Sequence, residues 1–590
     1  MKHYLRSSSV CQAIWVGCVL GGCAHWQTSN LEPKPFTAQI ASKASDASST
    51  PLQPEIASGL VRNTDVITQN TAVASANPLA SKAGLEILQA GGTAVDAAIA
   101  VQMVLGLVEP QSSGIGGGAF LLHTKGAGPT RRTQAFDGRE TAPAGADESL
   151  FLNAQGQPLP FFEAVVGGRS VGTPGVLKML AIAHQQHGKL PWARLFEPAI
   201  HLAKNGFAIS PRLHASLLAD AYLKLDPSAR AYFYQADGVL HPIGYVLRNP
   251  ELADVMQRIA KEGVNAFYKG DVAQAIVEKV QQHPKNPGRL RLQDLAQYQA
   301  KEREALCFDH AVRARVYEIC GFPPPSSGAI AIGQILGLLQ YAPNALKAPV
   351  QGELNADWLH DYAQASRLAF ADRAQYVADP DFVEMPAGNW RSLLDPAYLK
   401  LRAQLMGPTS LKQTPAGIPL RAQKSVYAPM SDQAEFGTSH ISIADAYGNA
   451  LAMTTTIENA FGARQMVYGF LLNNELTDFS FVPQDSQGRL VANRVQANKR
   501  PRSSMSPTLV FDKASGELLM SAGSPGGEMI IHFTAKTLIG VLHWGMTPQQ
   551  AIDLPNFGAL GAPMVVEEKR FSAGTLQSLR ARGAEVRELA

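Results

Sequence analysis

The sequence predicts an α+β fold, helix-rich in its first part and strand-rich near its end, with both parts contributing to one core. Residues 78–377 contain long stretches with helical apolar patterns. The segment after Phe436 alternates apolar and other side chains, which is typical of a β-hairpin. The 590 residues, 46% of them hydrophobic, are enough to bury a large core, and this length would permit two to four domains.

The first 23 residues are predicted to be an export signal. Lys2 and Arg6 precede an apolar run from Val10 to Leu20, which is too short to span a bilayer but has the length of a signal-peptide core. The run ends Leu-Gly-Gly-Cys at Cys23, which resembles a bacterial lipobox with Cys23 as the lipidated residue. The alternative is an ordinary secretory signal with incidental cysteines. We therefore expect a periplasmic protein, held to a bacterial membrane by a lipid anchor if the lipobox is used.

Residues 24–60 are predicted to be a flexible tether, because Ser, Thr, Ala, Pro and Gln dominate and few side chains could form a core. The net charge is only +3 and no run of Lys or Arg occurs, which argues against a nucleic-acid partner. No CxxC, HExxH or DxDxDG spacing is present, so the sequence gives no support for a metal site. We expect no cofactor.

Two helices are predicted next, at Pro78–Ala90 and Ala94–Val108. The second is apolar nearly all round and should be buried. The segment Gly114–Ala119 then fits a dinucleotide-binding fingerprint, but a helix precedes it and a strand follows, which is the reverse of the required order. We predict a close backbone approach here, not a cofactor site.

A G-x-S-x-G pattern at residues 168–172 places Ser170 where a serine hydrolase has its nucleophile. Such an elbow needs a helix that begins at the serine. Thr173 and Pro174 instead have the character of the N-cap and first residue of a helix that continues through His184. We therefore expect no catalytic role for Ser170.

Residues 191–306 are predicted to be helical, residues 355–377 to form another long helix, and residues 406–435 to form a loop. Cys307 and Cys320 flank a predicted hairpin centred around Ala311–Arg313, in which they would face each other. Export to an oxidising compartment favours a disulfide between them, and two buried free thiols are the alternative.

The hairpin after that loop begins at Phe436-Gly437-Thr438 and turns at Tyr447–Asn449. A threonine hydroxyl is a poor nucleophile without a base, and an α-amine with a pKa of about 7.7–8.0 can serve as one. That amine exists at Thr438 only if the chain is cut after Gly437. The pattern permits such a nucleophile, while a threonine bonded to local backbone is the ordinary alternative.

Several segments beyond Thr438 decide between these alternatives. They are GFLLNNELTDFS (469–480), NKRPRSSMSPT (498–508) and GSPGGE (523–528), and the upstream segments SSGIGGGAFLL (112–122), FDGRETAP (136–143), PPPSSG (323–328) and ADPDF (378–382) go with them. With these, the sequence resembles the γ-glutamyltransferase family of N-terminal-nucleophile hydrolases, in one collinear order from about Val61 to the C-terminus. The resemblance implies a four-layer αββα sandwich, built jointly by a large subunit (61–437) and a small subunit (438–590) after self-cleavage.

The resemblance also implies roles for individual residues. Thr438 is the nucleophile, Thr456 hydrogen-bonds it, and Gly526 and Gly527 form the oxyanion hole. Ser439 and His440 lie on the same strand as Thr438. The implied substrate-binding residues are Arg139, Ser503 and Ser504 for the donor α-carboxylate, and Glu458, Glu475 and Asp478 for its ammonium.

The implied reaction is transfer of a γ-glutamyl group from glutathione or a related amide to water or to an amino-acid or peptide amine. One alternative is an acylase of the same superfamily that acts on glutaryl amides, as cephalosporin acylases do. A glutaryl group has no ammonium, so three acidic residues at that position favour a glutamyl donor. The other alternative is a non-catalytic lipoprotein that binds amino acids.

Two departures from the family pattern are noted. Residues 479–497 correspond to the family's variable loop over the site, so the sequence does not decide whether a donor can reach the site. The chain ends at Ala590, before the last strands expected from the resemblance, so we expect a sheet without its edge strands or a truncated sequence.

Overall fold

Two antiparallel β-sheets lie face to face at the centre of the molecule, with helices covering the outer face of each. The computed structural model describes residues 63–590 except 127, 413, 432 and 434, so the predicted signal peptide (1–23) and tether (24–60) lie outside the described residues. Within them, the strands are β1 (Ala72–Ser75), β2 (Gly118–Lys125), β3 (Arg132–Asp137), β4 (Phe207–Ala208), β5 (Val246–Leu247), β6 (Lys301–Glu304), β7 (Leu306–Val312), β8 (Arg315–Gly321), β9 (Ser439–Ala444), β10 (Ala450–Thr456), β11 (Met466–Val467), β12 (Phe470–Leu471), β13 (Thr508–Asp512), β14 (Leu518–Ala522), β15 (Phe557–Gly558), β16 (Met564–Glu567) and β17 (Val586–Leu589).

The helices of the same residues are α1 (Pro78–Gln89), α2 (Ala94–Val108), α3 (Phe161–Val165), α4 (Val176–His187), α5 (Glu197–Asn205), α6 (Pro211–Ala219), α7 (Pro227–Phe233), α8 (Pro250–Glu262), α9 (Asn265–Tyr268), α10 (Gly270–Gln281), α11 (Leu292–Gln297), α12 (Gly328–Leu339), α13 (Ala356–Tyr376), α14 (Pro396–Ala403), α15 (Met529–Leu542), α16 (Pro548–Asp553) and α17 (Ala573–Ala581). The predicted helices at 78–90, 94–108 and 355–377 are confirmed as α1, α2 and α13. None of the helices among the described residues is both long and apolar enough to cross a bilayer.

The larger sheet has the strand order β1-β9-β10-β2-β3-β6, and the smaller sheet has the order β14-β13-β8-β7. Neighbouring strands in both sheets are antiparallel. Helices α1, α2 and α4 lie on the side of the larger sheet, while α12 and α15 pack on the smaller one and α13 packs on α12. This is the predicted four-layer αββα sandwich.

Side chains that alternate along the central strands fill the spaces between these layers. In β2, Leu121 joins the core between the larger sheet and its helices, whereas Leu122 belongs to the core between the two sheets. In β13, Leu509 joins the core between the sheets, and Val510 packs with the helices of the smaller sheet. Both faces of each sheet are therefore apolar, as central strands of a layered fold require.

The hairpin predicted after Phe436 is confirmed as β9 and β10. Ser439 pairs with Thr455 across the hairpin, and Thr456 pairs with Gly118 of β2 on the other side. By this register Thr438, one residue before β9, lies opposite Thr456. The turn before β2 also approaches this point closely, since a Cβ atom on Gly117 would overlap the carbonyl oxygen of Thr456. The close backbone approach predicted for residues 114–119 is thus confirmed.

Two local predictions are wrong. Helix α4 begins at Val176, not at Pro174, because Thr173 is held in an extended bridge to Thr141 and the N–H groups of Gly175 and Val176 both donate to the Gly117 carbonyl. Residues 191–306 are also not entirely helical, since β4, β5 and β6 interrupt them.

The hairpin that carries the two remaining cysteines is present as β7 and β8. Cys307 lies directly opposite Cys320, and the structure joins them as a cross-strand disulfide. That this bond forms in the exported protein stays a prediction.

Candidate active site

The carbonyl oxygen of Gly437 is the focus of the site. It accepts a hydrogen bond from the Thr438 hydroxyl at 2.5 Å and another from the Thr456 hydroxyl at 2.7 Å. The Thr456 hydroxyl in turn accepts from the backbone N–H of Glu458 at 2.7 Å, which fixes the direction of its own proton. Thr456 thus bonds the carbonyl that Thr438 would attack. The bond to Thr438 itself, which the resemblance implies, stays a prediction for the cleaved chain.

Gly526 and Gly527 lie immediately before helix α15, with φ values of 127° and 54° that favour glycine. A Cβ atom on Gly527 would overlap the carbonyl oxygen of Glu435, so the chain before Thr438 lies directly on this glycine. Among the described residues, no acceptor is hydrogen-bonded to the N–H groups of the two glycines. Two such N–H groups at a helix start can stabilise an oxyanion.

Three acidic side chains line one wall of the site. Glu458 follows β10 and has φ +72°, while Glu475 and Asp478 lie at the two ends of a single 3₁₀ turn. Glu458 accepts from the N–H of Phe436 at 3.1 Å and from the side-chain amide of Asn474. The acidic wall therefore contacts the chain just before the predicted cleavage point.

Burial dominates the electrostatics of this wall. Burial, and then the negative charge of Glu475, raise the pKa of Glu458 to about 8. Burial also raises the pKa of Glu475, although the charge of Arg139 opposes it. For Asp478, burial and the charge of Glu435 raise the pKa well above its usual value. A cation bound against this wall would therefore favour the ionised form of these carboxylates.

Arg139 follows β3 and is fully buried against the acidic wall. Its two terminal nitrogens form ion pairs with Glu475 and Asp478, Nε donates to the Pro501 carbonyl at 3.1 Å, and Nη2 also donates to the Arg502 carbonyl at 2.7 Å. Burial would lower the pKa of Arg139, but the two carboxylates raise it above its usual value. These four hydrogen bonds use most of the five N–H groups of Arg139, so few remain for a substrate carboxylate.

Ser503 and Ser504 form another part of the cavity lining, the serine wall, and backbone contacts to residues before α12 hold them. The Ser503 hydroxyl accepts from the N–H of Met505 at 3.1 Å, and the Ser504 hydroxyl accepts from Nη2 of Arg373 at 2.6 Å. Arg373 comes from α13 and was not identified from the sequence. Its position at the last turn of a long helix gave no local motif that could have found it.

Glu140 is a second residue that the sequence analysis missed, although it follows Arg139 directly. It is fully buried, and its carboxyl oxygens have no hydrogen-bond donor among the described residues. Burial, and then the charge of Glu475, raise the pKa of Glu140 well above its usual value.

A cavity with only about 10 Å³ of free space in the uncleaved chain brings most of the predicted residues together. Its lining includes Thr438, Thr456, Gly527, Arg139, Glu458, Glu475, Asp478, Ser503 and Ser504. Glu435 and Phe436 of the uncleaved chain also line it. The cavity therefore brings together hydroxyl, acidic and cationic groups, which are the kinds of side chain that bind the two charged groups of an amino acid.

Three predicted residues, His440, Ser439 and Ser170, do not line this cavity. His440 is buried, bonds Thr454 at 2.9 Å, and has its pKa lowered to about 3 by burial, so it is neutral. The Ser439 hydroxyl is buried without a partner among the described residues. The Ser170 hydroxyl donates to the Val165 carbonyl at 2.6 Å. Cys23 lies outside the described residues.

The loop at residues 479–497 packs beside the acidic wall. Phe481 stacks on Phe151, and the Asn493 side chain donates to the Asp478 carbonyl at 2.7 Å while accepting from the Arg502 N–H at 2.9 Å. The loop thus ties Asp478 to the serine wall.

Comparison with known proteins gives one consistent family. A profile of the family described as gamma-glutamyltranspeptidase matches residues 80–590. The glutathione hydrolase proenzyme of Bacillus subtilis (strain 168) is 38% identical over 492 residues, which cover 82% of this chain and 79% of that protein.

Solved structures agree with this match. The cephalosporin acylase of Bacillus halodurans superposes with a TM-score of 0.75 at 25% identity, covering 92% of this chain and 93% of that one. A chain of Helicobacter pylori γ-glutamyltranspeptidase superposes with a TM-score of 0.54 at 31% identity, covering 62% of this chain and all of that one.

Proposed function

The chain belongs to the γ-glutamyltranspeptidase family, and on this premise we propose that Thr438 becomes an N-terminal nucleophile by self-cleavage. The protein is an enzyme of the γ-glutamyltransferase and glutathione hydrolase type. Its donor is proposed to be glutathione or a related γ-glutamyl amide, and its acceptor water or an amino-acid or peptide amine. The observation that carries the proposal is the Gly437 carbonyl, which is hydrogen-bonded by Thr438 and Thr456 at the edge of a charged cavity.

Self-cleavage follows from this geometry. The Thr438 hydroxyl oxygen attacks the Gly437 carbonyl carbon, the Gly437–Thr438 C–N bond breaks, and an ester and a free amine result. The Thr456 hydroxyl stabilises the negative charge that develops on the Gly437 oxygen. Water then hydrolyses the ester, which leaves a carboxylate on Gly437 and a free hydroxyl and α-amine on Thr438.

Acyl transfer uses the new N-terminus. The Thr438 amine accepts the hydroxyl proton as the oxygen attacks the γ-amide carbon of the donor, and the proton then passes to the leaving amine. The N–H groups of Gly526 and Gly527 face the developing oxyanion, where one such donor contributes about 2.7–4 kcal/mol in related enzymes. Water or an amine then attacks the γ-glutamyl ester and restores the Thr438 hydroxyl.

The charged walls hold the two ends of the donor amino acid. Glu458, Glu475 and Asp478 bind its ammonium. Arg139 and the hydroxyls of Ser503 and Ser504 are proposed to bind its α-carboxylate, in competition with Glu475 and Asp478, which accept hydrogen bonds from the two terminal nitrogens of Arg139.

A denaturing gel of purified precursor tests the nucleophile. Wild-type protein should split without added protease, and the smaller chain should begin Thr-Ser-His. Thr438→Ser keeps a hydroxyl and should also split, whereas Thr438→Ala should remain one chain. Splitting of Thr438→Ala at the same bond would show that another group is the nucleophile.

A glutaryl-amide acylase is the second candidate, because the Bacillus halodurans acylase has a similar fold over most of its length. A glutaryl donor lacks the ammonium that the acidic wall would bind. Wild-type enzyme should therefore turn over a γ-glutamyl anilide much faster than a glutaryl anilide, and Asp478→Asn should narrow that difference by harming only the first. A wild type that prefers the glutaryl anilide would establish the acylase instead.

We also propose export to the periplasm with lipidation at Cys23, which rests on the N-terminal sequence. Labelled fatty acid should enter wild-type protein and not Cys23→Ala. Equal labelling of the two would exclude Cys23 as the lipidated residue.

A further inference from the structure

The Glu435 side chain connects the uncleaved chain to two buried arginines. Its Oε1 atom accepts a hydrogen bond from Arg373 Nη2 at 2.6 Å and lies 3.7 Å from Arg502 Nη2. Arg373, Arg502 and Glu435 are 3%, 2% and 7% exposed, respectively. Glu435 lines the cavity, and the two arginines lie behind it.

Few of the N–H groups of the Arg502 guanidinium are hydrogen-bonded among the described residues. Its Nε and Nη1 atoms are buried and have no hydrogen-bond partner among the described residues. A buried guanidinium normally has its N–H groups bonded, because an unpaired polar group out of water is unfavourable. Arg502 therefore has capacity to bind a further acceptor.

Glu435 supplies one of the two carboxylates that form ion pairs with these arginines. Arg373 also pairs with Glu528 at 3.0 Å, so two cations face two carboxylates in the uncleaved chain. If Glu435 moves away, one positive charge is left without its carboxylate beside the cavity. An anion that enters would restore the balance.

Glu435 must move for the enzyme to act on a substrate. Its backbone lies against Gly527, whose N–H is proposed to bind the oxyanion, and Glu435 and Phe436 both line the cavity next to Thr438. Cleavage after Gly437 frees this segment at its end. The carboxylate of Glu435 thus occupies a place that becomes available when the chain is cut.

We propose that Arg373 and Arg502, with the Ser504 hydroxyl, form a carboxylate-binding subsite of the cleaved enzyme that Glu435 fills in the precursor. The inference rests on the proposed function, since it takes the ligand to be a carboxylate of the donor. Two donor carboxylates have the required chemistry: the α-carboxylate of the γ-glutamyl group, which this subsite would bind together with Arg139, and the carboxylate of a peptide leaving group. Both can form the planar pair with a guanidinium.

Steady-state kinetics with three donors tests this subsite. The donors are a γ-glutamyl anilide, glutathione, and glutathione whose glycine carboxylate is converted to an amide. In Arg502→Leu, KM should rise about 10- to 100-fold for every donor that places its carboxylate there, while kcat stays within about twofold. If KM rises with all three donors, the subsite binds the α-carboxylate. If KM rises with glutathione alone, the subsite binds the carboxylate of the leaving group.

Two further variants keep the test decisive. Arg502→Lys keeps the positive charge but not the planar fork, so its KM should rise less than that of Arg502→Leu. If Arg502→Leu does not fold or cleave, the KM values of Arg502→Lys test the subsite. Arg258→Leu removes an arginine whose partner is the exposed Asp271, and it should match wild type. Unchanged KM values for all three donors in the Arg502 variants would overturn the subsite. A wild type that turns over none of the donors would instead overturn the proposed function.

Discussion

At the scale of single residues, buried ion pairs surround the Thr438 hydroxyl. Glu458, Glu475 and Asp478 lie on one wall, and the serine wall has Arg373 behind it. Arg139 already neutralises part of the acidic wall through Glu475 and Asp478. Glu458 forms no ion pair with an arginine or lysine among the described residues, which makes it the carboxyl most sensitive to pH and to a bound ammonium.

We predict a pH dependence that belongs to Glu458. Its pKa is raised to about 8, so the carboxyl is neutral below that pH and becomes a carboxylate as the pH rises through it. Because only the carboxylate attracts the donor ammonium, the loss of kcat/KM in Glu458→Gln relative to wild type should grow as the pH rises from 7 to 9. The loss should reach about 10-fold, the effect of one hydrogen bond to a charged group.

The measurement is the ratio of kcat/KM for wild type to that for Glu458→Gln with a γ-glutamyl anilide. Taking the ratio cancels the titration of the donor amine and of the Thr438 amine. A glutaryl anilide, which has no ammonium, should give a ratio that does not change with pH. A flat ratio for the glutamyl donor would contradict this role for Glu458.

At the scale of elements, the turn between α2 and β2 sets the position of Thr456. Gly116 approaches the Leu471 carbonyl, and Gly117 approaches the Thr456 carbonyl, closely enough that neither could carry a Cβ atom. The sequence indicated a close approach from the glycines alone, but not which strand approaches. That information depends on the pairing of β10 with β2, which joins residues more than 300 positions apart.

We predict that Gly117→Ala lowers both stability and self-cleavage. The added methyl group must displace the Thr456 backbone, and such overpacking costs about 1–3 kcal/mol. Gly114→Ala in the same turn is the matched control, because its Cβ atom would meet nothing within 4 Å, and its stability should stay within about 0.5 kcal/mol of wild type. Denaturant unfolding of each variant in a Thr438→Ala background and the cleavage rate in the native background measure the two effects. If Gly117→Ala and Gly114→Ala had the same stability and cleavage rate, the contact between Gly117 and the Thr456 carbonyl would be excluded as the cause of any loss.

At the scale of the whole molecule, the sequence predicted the layers better than the charge network of the site. Alternating apolar residues identified the β9–β10 hairpin, and helical patterns identified α2 and α13. Strand β6 was missed because its sequence, Lys-Glu-Arg-Glu, has no apolar face and pairs through its backbone at the sheet edge. Arg373 and Glu435 could not be linked from sequence, since only the folded layers bring an arginine of α13 beside the chain before Thr438.

Both sheets are built from residues on each side of the Gly437–Thr438 bond. In the larger sheet, β9 and β10 of the predicted small subunit lie between β1 and β2 of the predicted large subunit. In the smaller sheet, β13 of the small subunit pairs with β8 of the large one. Cleavage of one bond therefore removes no strand pairing, and separation of the subunits would open both sheets and expose the core between them.

We predict from this that the cleaved subunits stay together until the whole fold unfolds. Wild-type protein should elute as one species in native gel filtration, at the volume of uncleaved Thr438→Ala, although a denaturing gel separates it into two chains. Its thermal midpoint should rise with protein concentration, because unfolding of the cleaved form releases two chains, whereas the midpoint of Thr438→Ala should not. A small subunit that elutes separately in native buffer would show that the interleaved sheets do not hold the two chains together.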